Sequence, residues 1–380
     1  MYSVSSYGRM IADESRLAAY VAAMRRTIRP NSVVVDIGTG PGLFALVACQ
    51  LGARRVYAIE PDNIIQVARE TATANGLDRI EFIQNVSTEV TLPERADVIV
   101  SDLRGVLPWF QGHLSSIIDA RTRLLAPEGI LIGASDSLWA APVAVPETYE
   151  KLVAPWNQSK YELQFLPALT LVTNAWIKTH VKRDELLGDP VCWHTLDYSR
   201  VQESDVQATI SMHTSKLGTA HGFAVWFDAE LSEKISFSNA PGNVTSIYGN
   251  AFFPFTQPIN VKPGTRIDVN LRADLVQEDY VWQWAATIMD PESGCITKSF
   301  RQSTLSGTVL SPSTLQKRSS TYVPSMTDKG LVDHFILGKI DGKTSLEEIA
   351  RQLVDRFPER FLTVSCALDA VADVTLQYGK

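Results

Sequence analysis

The segment VVVDIGTGPG at residues 33–42 constrains the fold of this chain more than any other. Three valines precede Asp36, glycines follow at positions 38, 40 and 42, and an apolar run continues from Leu43 to Leu51. β-Branched residues favour a strand, and the apolar run is typical of a helix. The order predicts a strand, a tight turn and a helix. Glycines without Cβ atoms and the helix N-terminus let a ligand approach the backbone closely.

The spacing of the glycines indicates the kind of ligand. A dinucleotide-binding turn has its third glycine where this chain has Leu43. One acid precedes the turn, and the next predicted strand, RVYAIE, ends in Glu60. We therefore predict S-adenosylmethionine, whose ammonium group Asp36 would hold directly or through water. Gly38 and Gly40 would leave room for its methionine part, and Glu60 would accept its ribose hydroxyls. A plain tight turn is the alternative.

Length and composition exclude several classes of protein. A chain of 380 residues, 45% hydrophobic and 20% charged, is typical of a globular protein with two or three domains. The net charge of -7 disfavours a general nucleic-acid binder. Four cysteines without a C-x-x-C pair predict neither a metal site nor a disulfide framework. Because there is no signal core or bilayer-length apolar run, we expect a cytoplasmic protein without a membrane partner.

From Val33 to about Trp139, predicted strands and helices alternate behind an amphipathic helix at Asp13–Ile28. Such alternation indicates a mostly parallel sheet, and ligands bind such sheets beyond the carboxyl ends of the strands. The predicted strands are Val33–Ile37, Arg55–Ile59, Ile80–Ile83, Asp97–Val100 and Gly129–Ile132. Four candidates lie at the carboxyl ends of these strands: Asp36, Glu60, the Asn85–Glu89 turn and Ser101–Asp102. We expect them to face one crevice.

After Trp139, short β-type runs separated by turn residues predict an antiparallel barrel or sandwich. A connector rich in Ser, Thr, Lys and Pro at Ser311–Ser325 then precedes three predicted helices. The β-type runs are Leu169–His180, Val206–His213, Phe223–Phe227, Ile259–Val261 and Arg266–Leu271. The helices are Gly330–Leu337, Ser345–Phe357 and Thr363–Tyr378.

Residues 1 to about 310 resemble the protein arginine methyltransferases, through YGRMIADESRLAAY, DIGTGPG, GARRVYAIE and ADVIVSD. The resemblance implies a Rossmann-like cofactor domain, a β-barrel with an inserted dimerisation arm, and hence a homodimer. The predicted fold class is therefore α/β plus β. Cofactor-capping helices (1–32) precede a Rossmann-like S-adenosylmethionine domain (33–140). An antiparallel β-barrel substrate domain (141–318) and a small helical C-terminal domain (319–380) follow.

The resemblance also implies cofactor contacts, residue by residue. Met10 and Arg16 would contact the adenosyl sulfonium region and the carboxylate of the donor. The other implied contacts are Asp36 and Gly38 with the donor, Glu60 with the ribose, and Ser87 or Thr88 with the adenine edge.

The loop after the fourth strand departs from the family. Family members carry two glutamates there, which grip a guanidinium, whereas SDLRGVLPWFQGHL has Asp102 and Gln111 at those positions and adds Arg104. The family's Thr-His-Trp loop corresponds to residues 246–248, Ser-Ile-Tyr, which lack the histidine. One acid, an amide and an arginine would hold a guanidinium poorly, because a desolvated cation needs close anions.

The altered loop predicts a neutral amine, a hydroxyl or a carboxylate as the methyl acceptor. Arg104 would orient a carboxylate, unless it turns outward. Asp102 or His113 would take the proton. The alternative for His113 is a surface histidine at the start of a helix.

The C-terminal run GLVDHFILGKIDGKTSLEEIARQL resembles the small peptide-chaperone domains of the PqqD type, with the signature at Ile340–Thr344. Such domains bind a leader peptide along a strand edge during the maturation of ribosomal peptides. The resemblance therefore implies a leader peptide as a partner. A helical cap for the barrel is the alternative.

Together these features predict an S-adenosylmethionine-dependent methyltransferase that N- or O-methylates a peptide or small-molecule acceptor in a biosynthetic pathway. One alternative keeps arginine as the acceptor, held by Asp102 alone. Another is a noncatalytic scaffold in a peptide-modifying complex.

Overall fold

The computed structural model describes residues 3–158, 161–243 and 246–379. The chain divides into two compact units, Met1–Thr308 and Val309–Lys380. Within the described ranges, every helix is too short or too polar to cross a membrane. The same ranges contain no group of His, Cys, Asp and Glu side chains placed to hold a metal ion.

Two helices precede the first sheet, α1 (Val4–Ile11) and α2 (Glu14–Thr27). Asp13 caps α2, because its Oδ1 accepts a hydrogen bond from the backbone N–H of Arg16 at 3.2 Å. The helix predicted at Asp13–Ile28 is therefore confirmed as α2 with its cap.

The first sheet is parallel, as the alternation of strands and helices predicts. Its strands are β1 (Val33–Ile37), β2 (Arg55–Ile59), β3 (Ile80–Ile83), β4 (Ala96–Ser101) and β5 (Leu125–Ile132), in the order β3-β2-β1-β4-β5. The connecting helices are α3 (Leu43–Gln50), α4 (Ile65–Ala74) and α5 (His113–Arg123). All of β1 is buried, with Val34 in one apolar cluster and Val35 in another, because alternate residues face opposite sides of the sheet. The central β1 brings the carboxyl ends of β2 and β4 to either side of its own.

The rest of the first unit contains ten strands and two helices in its described residues. They are β6 (Ser135–Val143), α6 (Pro146–Asn157), α7 (Leu166–Thr173), β7 (Ile177–Thr179), β8 (Val191–Asp197), β9 (Val206–His213), β10 (Gly218–Ser232), β11 (Ile235–Ser238), β12 (Asn250–Val261), β13 (Arg266–Val276), β14 (Asp279–Met289) and β15 (Ile296–Ser303). One sheet has the order β7-β12-β10-β6-β8, with β11 beside β10, and the other has the order β15-β14-β13-β9.

Of the predicted barrel or sandwich, the barrel is not confirmed, because these described strands form two separate antiparallel sheets. The sheets bury aromatic rings against each other instead. The ring centroid of Phe253 on β12 lies 5.5 Å from that of Trp282 and 5.2 Å from that of Trp284, both on β14. Face-to-face packing of two sheets shields such rings from water without closing a ladder.

The β-type run predicted at Leu169–His180 is wrong in its first half, which belongs to α7. Only Ile177–Thr179 is a strand. A short apolar run does not distinguish a strand from a helix, and Pro167 lies in the first turn of α7, where proline is tolerated.

The described residues of the second unit are helical and contain no strand. The helices are α8 (Pro312–Lys317), α9 (Asp328–Leu337), α10 (Leu346–Arg356) and α11 (Val364–Tyr378). Side chains of Thr327, Ser345 and Thr363 cap α9, α10 and α11. The three predicted helices are confirmed and share one apolar core. The strand edge implied by the PqqD-type resemblance is not found among residues 309–379.

Candidate active site

A cavity of about 580 Å³ opens where β1, β2 and β4 end, a volume usual for a small-molecule site. Helix α1, the glycine turn after β1, the loop 102–113 and the loop 246–248 all contribute to its wall. The structure brings together these predicted site residues on the wall: Met10, Arg16, Gly38, Gly40, Glu60, Asp102, Arg104, Gln111 and His113. Three others do not line it: Asp36, Ser87 and Thr88.

We call the part of the wall formed by Met10, Arg16, Gly38, Gly40 and Glu60 the donor half. Gly38 has φ of 70° and Gly40 has φ of 54°, which side chains with a Cβ rarely adopt. A Cβ on Gly38 would collide with Leu103 of the loop after β4, and a Cβ on Gly40 would lie 2.8 Å from a ring carbon of Tyr7 on α1. The turn therefore requires glycine for its backbone conformation and for close packing.

Glu60 ties the glycine turn to the end of β2. Its Oε2 accepts a hydrogen bond from the N–H of Gly40, and its Oε1 from the N–H of Asp62, each at 3.0 Å. Burial raises the pKa of the Glu60 carboxyl, although both hydrogen bonds oppose the shift. Each carboxylate oxygen has two lone pairs, so both can still accept a hydroxyl of a ribose. The donor half thus fits the predicted cofactor.

Asp36 has a different position from the one its place in the motif suggests. Its Oδ2 accepts hydrogen bonds from Thr39 Oγ1 at 2.5 Å and from the N–H of Ala45 at 2.9 Å. Burial raises the pKa of this carboxyl to about 7, although the two hydrogen bonds oppose the shift. Asp36 therefore joins the glycine turn to the start of α3 and does not form part of the cavity wall.

The predicted adenine contacts also lie outside the wall. Ser87 is buried, and its carbonyl accepts a hydrogen bond from Arg123 at 2.9 Å. Thr88 is exposed on the short 3-10 helix that follows β3.

We call the part of the wall formed by Asp102, Arg104, Gln111, His113 and Tyr248 the acceptor half. Gln111 is exposed and has φ of 43°. This left-handed conformation is uncommon for a residue with a side chain and marks a sharp bend before α5. Gln111 brings no charge to the wall.

Asp102 is the centre of a hydrogen-bond network. Its Oδ2 accepts a hydrogen bond from Arg16 Nε at 2.5 Å, and its Oδ1 accepts one from Tyr20 at 3.0 Å. The hydroxyl of Tyr248 lies 2.5 and 2.7 Å from the two oxygens, and Arg104 Nε lies 3.6 Å from Oδ1. The Asp102 side chain is only 6% exposed. The chain itself therefore satisfies this carboxylate.

The same neighbours control the charge of Asp102. Burial by itself raises the pKa of the carboxyl, but the positive charges of Arg16 and Arg104 and the hydrogen bond from Tyr248 outweigh it. The net effect is a pKa below the ordinary value, so Asp102 is a carboxylate at neutral pH.

Arg104 is turned inward, toward β6. Its Nη1 lies 2.5 Å from Asp136 Oδ1, and neither side chain is more than 1% exposed. The rings of Tyr198, Phe227 and Phe237 surround the guanidinium, with centroids 5.3 to 5.7 Å from its carbon. The charge of Arg104 is therefore balanced within the chain, and the outward orientation does not occur.

His113 is buried at the start of α5, not on the surface. Tyr198 donates a hydrogen bond to Asp136 Oδ2 at 2.6 Å, and His113 Nε2 lies 3.2 Å from the same hydroxyl. Nε2 is consequently the donor, which leaves Nδ1 as an acceptor without a partner in the described structure. Burial and the positive charge of Arg104 lower the pKa of His113 to about 3, so the ring is neutral.

Sequence reasoning missed four partners in this network: Tyr20, Asp136, Tyr198 and Tyr248. Tyr20 had a usable signal, because it follows Arg16 by four residues and so lies on the same side of α2. Tyr248 had a weaker signal, because it lies in the loop 246–248, which departs from the Thr-His-Trp sequence of the family. Asp136 and Tyr198 had none, since only the pairing of β6 with β8 brings them to Arg104.

Family models match most of the first unit. Residues 134–286 match the arginine methyltransferase oligomerization subdomain, and residues 18–139 match the ribosomal protein L11 methyltransferase. The protein arginine N-methyltransferase PRMT10 of Arabidopsis thaliana is 26% identical over 325 residues, which cover 76% of this chain and 83% of the relative. PRMT10 of Oryza sativa subsp. japonica is 28% identical over 300 residues, or 69% of this chain and 78% of the relative.

Solved structures share the fold. The uniquely open conformation of Arabidopsis thaliana protein arginine methyltransferase 10 aligns with a TM-score of 0.70 and 23% identity, covering 79% of this chain and 97% of that one. The Trypanosoma brucei PRMT1 enzyme-prozyme heterotetrameric complex with AdoHcy aligns with a TM-score of 0.70 and 18% identity, covering 78% and 97%.

These comparisons confirm two predictions, that the chain is an enzyme and that its methyl donor is S-adenosylmethionine. They do not support a noncatalytic scaffold. The chain is an S-adenosylmethionine-dependent methyltransferase that resembles the protein arginine methyltransferases in sequence and in fold.

Proposed function

We propose that this methyltransferase acts on a neutral amine of a peptide or small-molecule acceptor rather than on a guanidinium. The observation that carries the proposal is the state of Asp102. Its carboxylate already accepts hydrogen bonds from Arg16, Tyr20 and Tyr248. A carboxylate has about four lone-pair sites, so little capacity remains for the N–H groups of an acceptor.

The balance of charge favours the same acceptor. Asp102 is already paired with Arg16 at 2.5 Å, and Asp136 is already paired with Arg104 at 2.5 Å. A guanidinium in the acceptor half would add a cation beside Arg16 and Arg104 without a free carboxylate to balance it. Two unit charges about 4 Å apart repel by about 4 kcal/mol at an effective dielectric constant near 20. Gln111, at the position of the second family glutamate, offers no compensating charge.

Neither candidate base is strong. The pKa of Asp102 is lowered by its cationic neighbours, and burial lowers that of His113 to about 3. General bases are most effective when their pKa lies near the working pH. A hydroxyl acceptor would therefore receive little help, whereas a neutral amine already has a nucleophilic lone pair. Because Arg104 is paired with Asp136, we propose no role for it in orienting an acceptor carboxylate.

The donor half would hold S-adenosylmethionine, which supplies an electrophilic methyl group on its sulfonium. The Glu60 carboxylate would accept the ribose hydroxyls, and the backbone at Gly38 and Gly40 would leave space for the methionine part. Arg16 uses Nε for Asp102 and Nη1 for the carbonyl of Met10, so Nη2 can donate to the donor's carboxylate. Alignment of the two reactants, rather than strong base catalysis, would then provide most of the rate.

Arginine N-methylation is the second candidate. It is favoured by the names of the relatives, which are protein arginine N-methyltransferases. It requires Tyr248 to leave Asp102, so that a carboxylate oxygen becomes available to the acceptor.

Methyl transfer from tritiated S-adenosylmethionine to three matched peptides tests the proposal. The peptides differ only at one central residue, which is lysine, serine or arginine. We expect label in methyllysine, with a rate that rises with pH as the neutral amine becomes more abundant. Hydrolysis of the product identifies the labelled residue. Methylarginine as the main product would overturn the proposal in favour of the second candidate.

We further propose that the segment 146–173, which contains α6 and α7, forms a dimer contact. It falls within the match to the oligomerization subdomain, and it exposes the apolar side chains of Leu163 and Phe165. Sedimentation should show a dimer that Leu163→Asp with Phe165→Asp converts to a monomer. Leu217→Asp, at another exposed leucine, is the matched control. A double variant that stays dimeric would contradict this proposal.

We also propose that the second unit binds the part of a peptide acceptor that precedes the residue to be methylated. Its helices expose the apolar side chains of Leu331, Leu337 and Leu376. A chain that ends at Thr308, where the first unit ends, should bind S-adenosylhomocysteine normally and use a long peptide acceptor less well. Unchanged kinetics on that peptide would exclude this role.

A further inference from the structure

Two cations of the cavity wall differ from the rest, because no carboxylate pairs with them among the described residues. They are Arg9 of α1 and Lys178 of β7. Arg9 Nη2 donates a hydrogen bond to Ser6 Oγ at 3.1 Å, and Lys178 Nζ donates one to the carbonyl oxygen of Ile247. Both partners are neutral. The two positive charges are therefore hydrogen-bonded but not balanced.

The other cations of the wall are balanced inside the chain. Arg16 is paired with Asp102, and Arg104 is paired with Asp136. Asp13 is linked to Lys178 only through Ile247. The Oδ2 of Asp13 accepts a hydrogen bond from the N–H of Ile247 at 2.9 Å, and the carbonyl of Ile247 accepts the one from Lys178. Asp13 is not part of the wall and uses its oxygens for backbone and hydroxyl donors.

Lys178, one of the unbalanced pair, lies beside the acceptor half. Lys178 contacts Ile247, and the next residue, Tyr248, carries the hydroxyl that donates to Asp102. Trp176, two residues before Lys178, adds a half-buried ring to the same wall. Burial lowers the pKa of the Lys178 amine, and repulsion from Arg9 adds to the effect. Both cations line the same cavity, so one acceptor group can interact with both of them.

We propose that Arg9, Lys178 and Trp176, here called the cationic mouth, select acceptors that carry a carboxylate near the amine to be methylated. The inference rests on the proposed function and names the acceptor class more closely. A carboxylate between the two cations would relieve their repulsion and form charge-assisted hydrogen bonds. The ring would pack against apolar atoms next to that carboxylate. A peptide rich in arginine would meet like charge at the same place.

Binding of labelled peptides in the presence of saturating S-adenosylhomocysteine tests the cationic mouth. Three rhodamine-labelled decapeptides carry one central lysine flanked by tyrosine and by glutamate, glutamine or arginine. By fluorescence anisotropy at low salt, we expect the glutamate peptide to bind about tenfold more tightly than the glutamine peptide. The arginine peptide should bind most weakly. High salt should reduce the difference, because the charges of the mouth are accessible to solvent.

The variants distinguish an effect of the cationic mouth from an effect of the overall charge of the protein. Arg9→Gln and Lys178→Met should each weaken binding of the glutamate peptide, and the double variant should remove its advantage over the glutamine peptide. Lys298→Met, at an exposed lysine on β15 outside the wall, is the matched control. Unfolding temperatures of all variants show whether each one folds. If the double variant is unfolded, the change in glutamate preference of each single variant tests the inference.

Three outcomes would overturn the inference: equal binding of the three peptides, preference for the arginine peptide, or a glutamate preference that neither single variant reduces. Its failure can be distinguished from failure of the proposed function. Replacing the central lysine of the glutamate peptide by arginine and measuring methyl transfer tests only the atom that is methylated. Transfer to that arginine would overturn the proposed function and leave the cationic mouth standing.

Discussion

The donor half and the acceptor half share one cavity but are built differently. In the donor half, Glu60 is held by two backbone N–H groups, and each of its oxygens can accept another hydrogen bond. In the acceptor half, the side chains of Arg16, Tyr20 and Tyr248 already satisfy the carboxylate of Asp102. Glu60 can therefore still accept hydrogen bonds from a ligand, whereas Asp102 already accepts them from side chains of the protein.

This difference separates two kinds of constraint. The donor is the same molecule for every methyltransferase that uses S-adenosylmethionine, and the glycine turn proposed to hold it is a short local motif. The acceptor differs between enzymes, and its half of the cavity depends on side chains from distant parts of the chain. Substitutions in the two halves should therefore have different consequences.

Asp136→Asn should destabilise the chain most. It leaves the buried guanidinium of Arg104 without its carboxylate partner, and breaking a buried pair in this way costs about 3–5 kcal/mol. Chemical denaturation of the first unit measures the change. Asp268→Asn, which removes the partner of the half-exposed Arg266, is the control and should cost much less, because solvent screens that pair. Equal effects of the two substitutions on the free energy of unfolding would show that the pair of Arg104 and Asp136 does not stabilise the acceptor half more than a surface ion pair does.

Glu60→Gln should weaken donor binding by about 10- to 100-fold, because a charged acceptor of hydrogen bonds contributes about 1.5–3 kcal/mol. Titration calorimetry with S-adenosylhomocysteine measures the dissociation constant. Glu81→Gln, at an exposed acid on β3, should leave it unchanged. Unaltered affinity in Glu60→Gln would remove Glu60 from the donor half.

Asp36→Asn should change stability in a pH-dependent way and barely affect donor affinity. The pKa of Asp36 is raised to about 7 in the folded chain, mainly by burial, so the folded state binds the proton more tightly than the unfolded state does. The wild type therefore loses stability as pH rises from about 4 to about 7. The variant lacks this loss, so between pH 4 and pH 8 it should gain stability relative to the wild type by about 1.4 kcal/mol for each unit by which the pKa is raised.

Thermal unfolding across that pH range, together with calorimetry, checks the result for Asp36→Asn. A large fall in donor affinity without the pH effect would place Asp36 at the ligand after all, as the motif alone suggests.

Tyr248→Phe should have the smallest effect on stability, about 0.5–1.5 kcal/mol for one lost hydrogen bond. Because it frees a lone pair on Asp102, arginine peptides should become better acceptors relative to lysine peptides. Tyr280→Phe removes a hydroxyl that donates to the carbonyl of Ser204 and is the matched control. If Tyr248→Phe and Tyr280→Phe show the same acceptor preference, Tyr248 does not influence which acceptor is used.

The sequence predicted the backbone around the donor half well, because the signals for it are local. The strand, turn and helix around Gly38 and Gly40 follow from neighbouring residues, and Glu60 follows from the end of the next strand. The bounds of β1, β2 and β3 are those predicted. The orientation of Asp36 was not predictable, since it depends on which backbone N–H of α3 faces its carboxylate.

The acceptor half was predicted only in part. The sequence identified Asp102, Arg104 and His113 as a group, but not their partners Asp136 and Tyr198. The antiparallel pairing of β6 and β8 brings these partners together, and no local pattern encodes it. For the same reason, alternating strands could not distinguish two facing sheets from a closed barrel.

A crystal structure of the complex with S-adenosylhomocysteine would show whether Asp102 stays occupied by the chain when the donor half is filled. We expect Glu60 on the ribose, the amino-acid carboxylate of the ligand near Arg16, and the hydroxyl of Tyr248 still within hydrogen-bond distance of Asp102. A structure in which Asp102 has left Tyr248 and Tyr20 and points toward the ligand's sulfur would contradict this expectation. The carboxylate would then be free to hold a guanidinium.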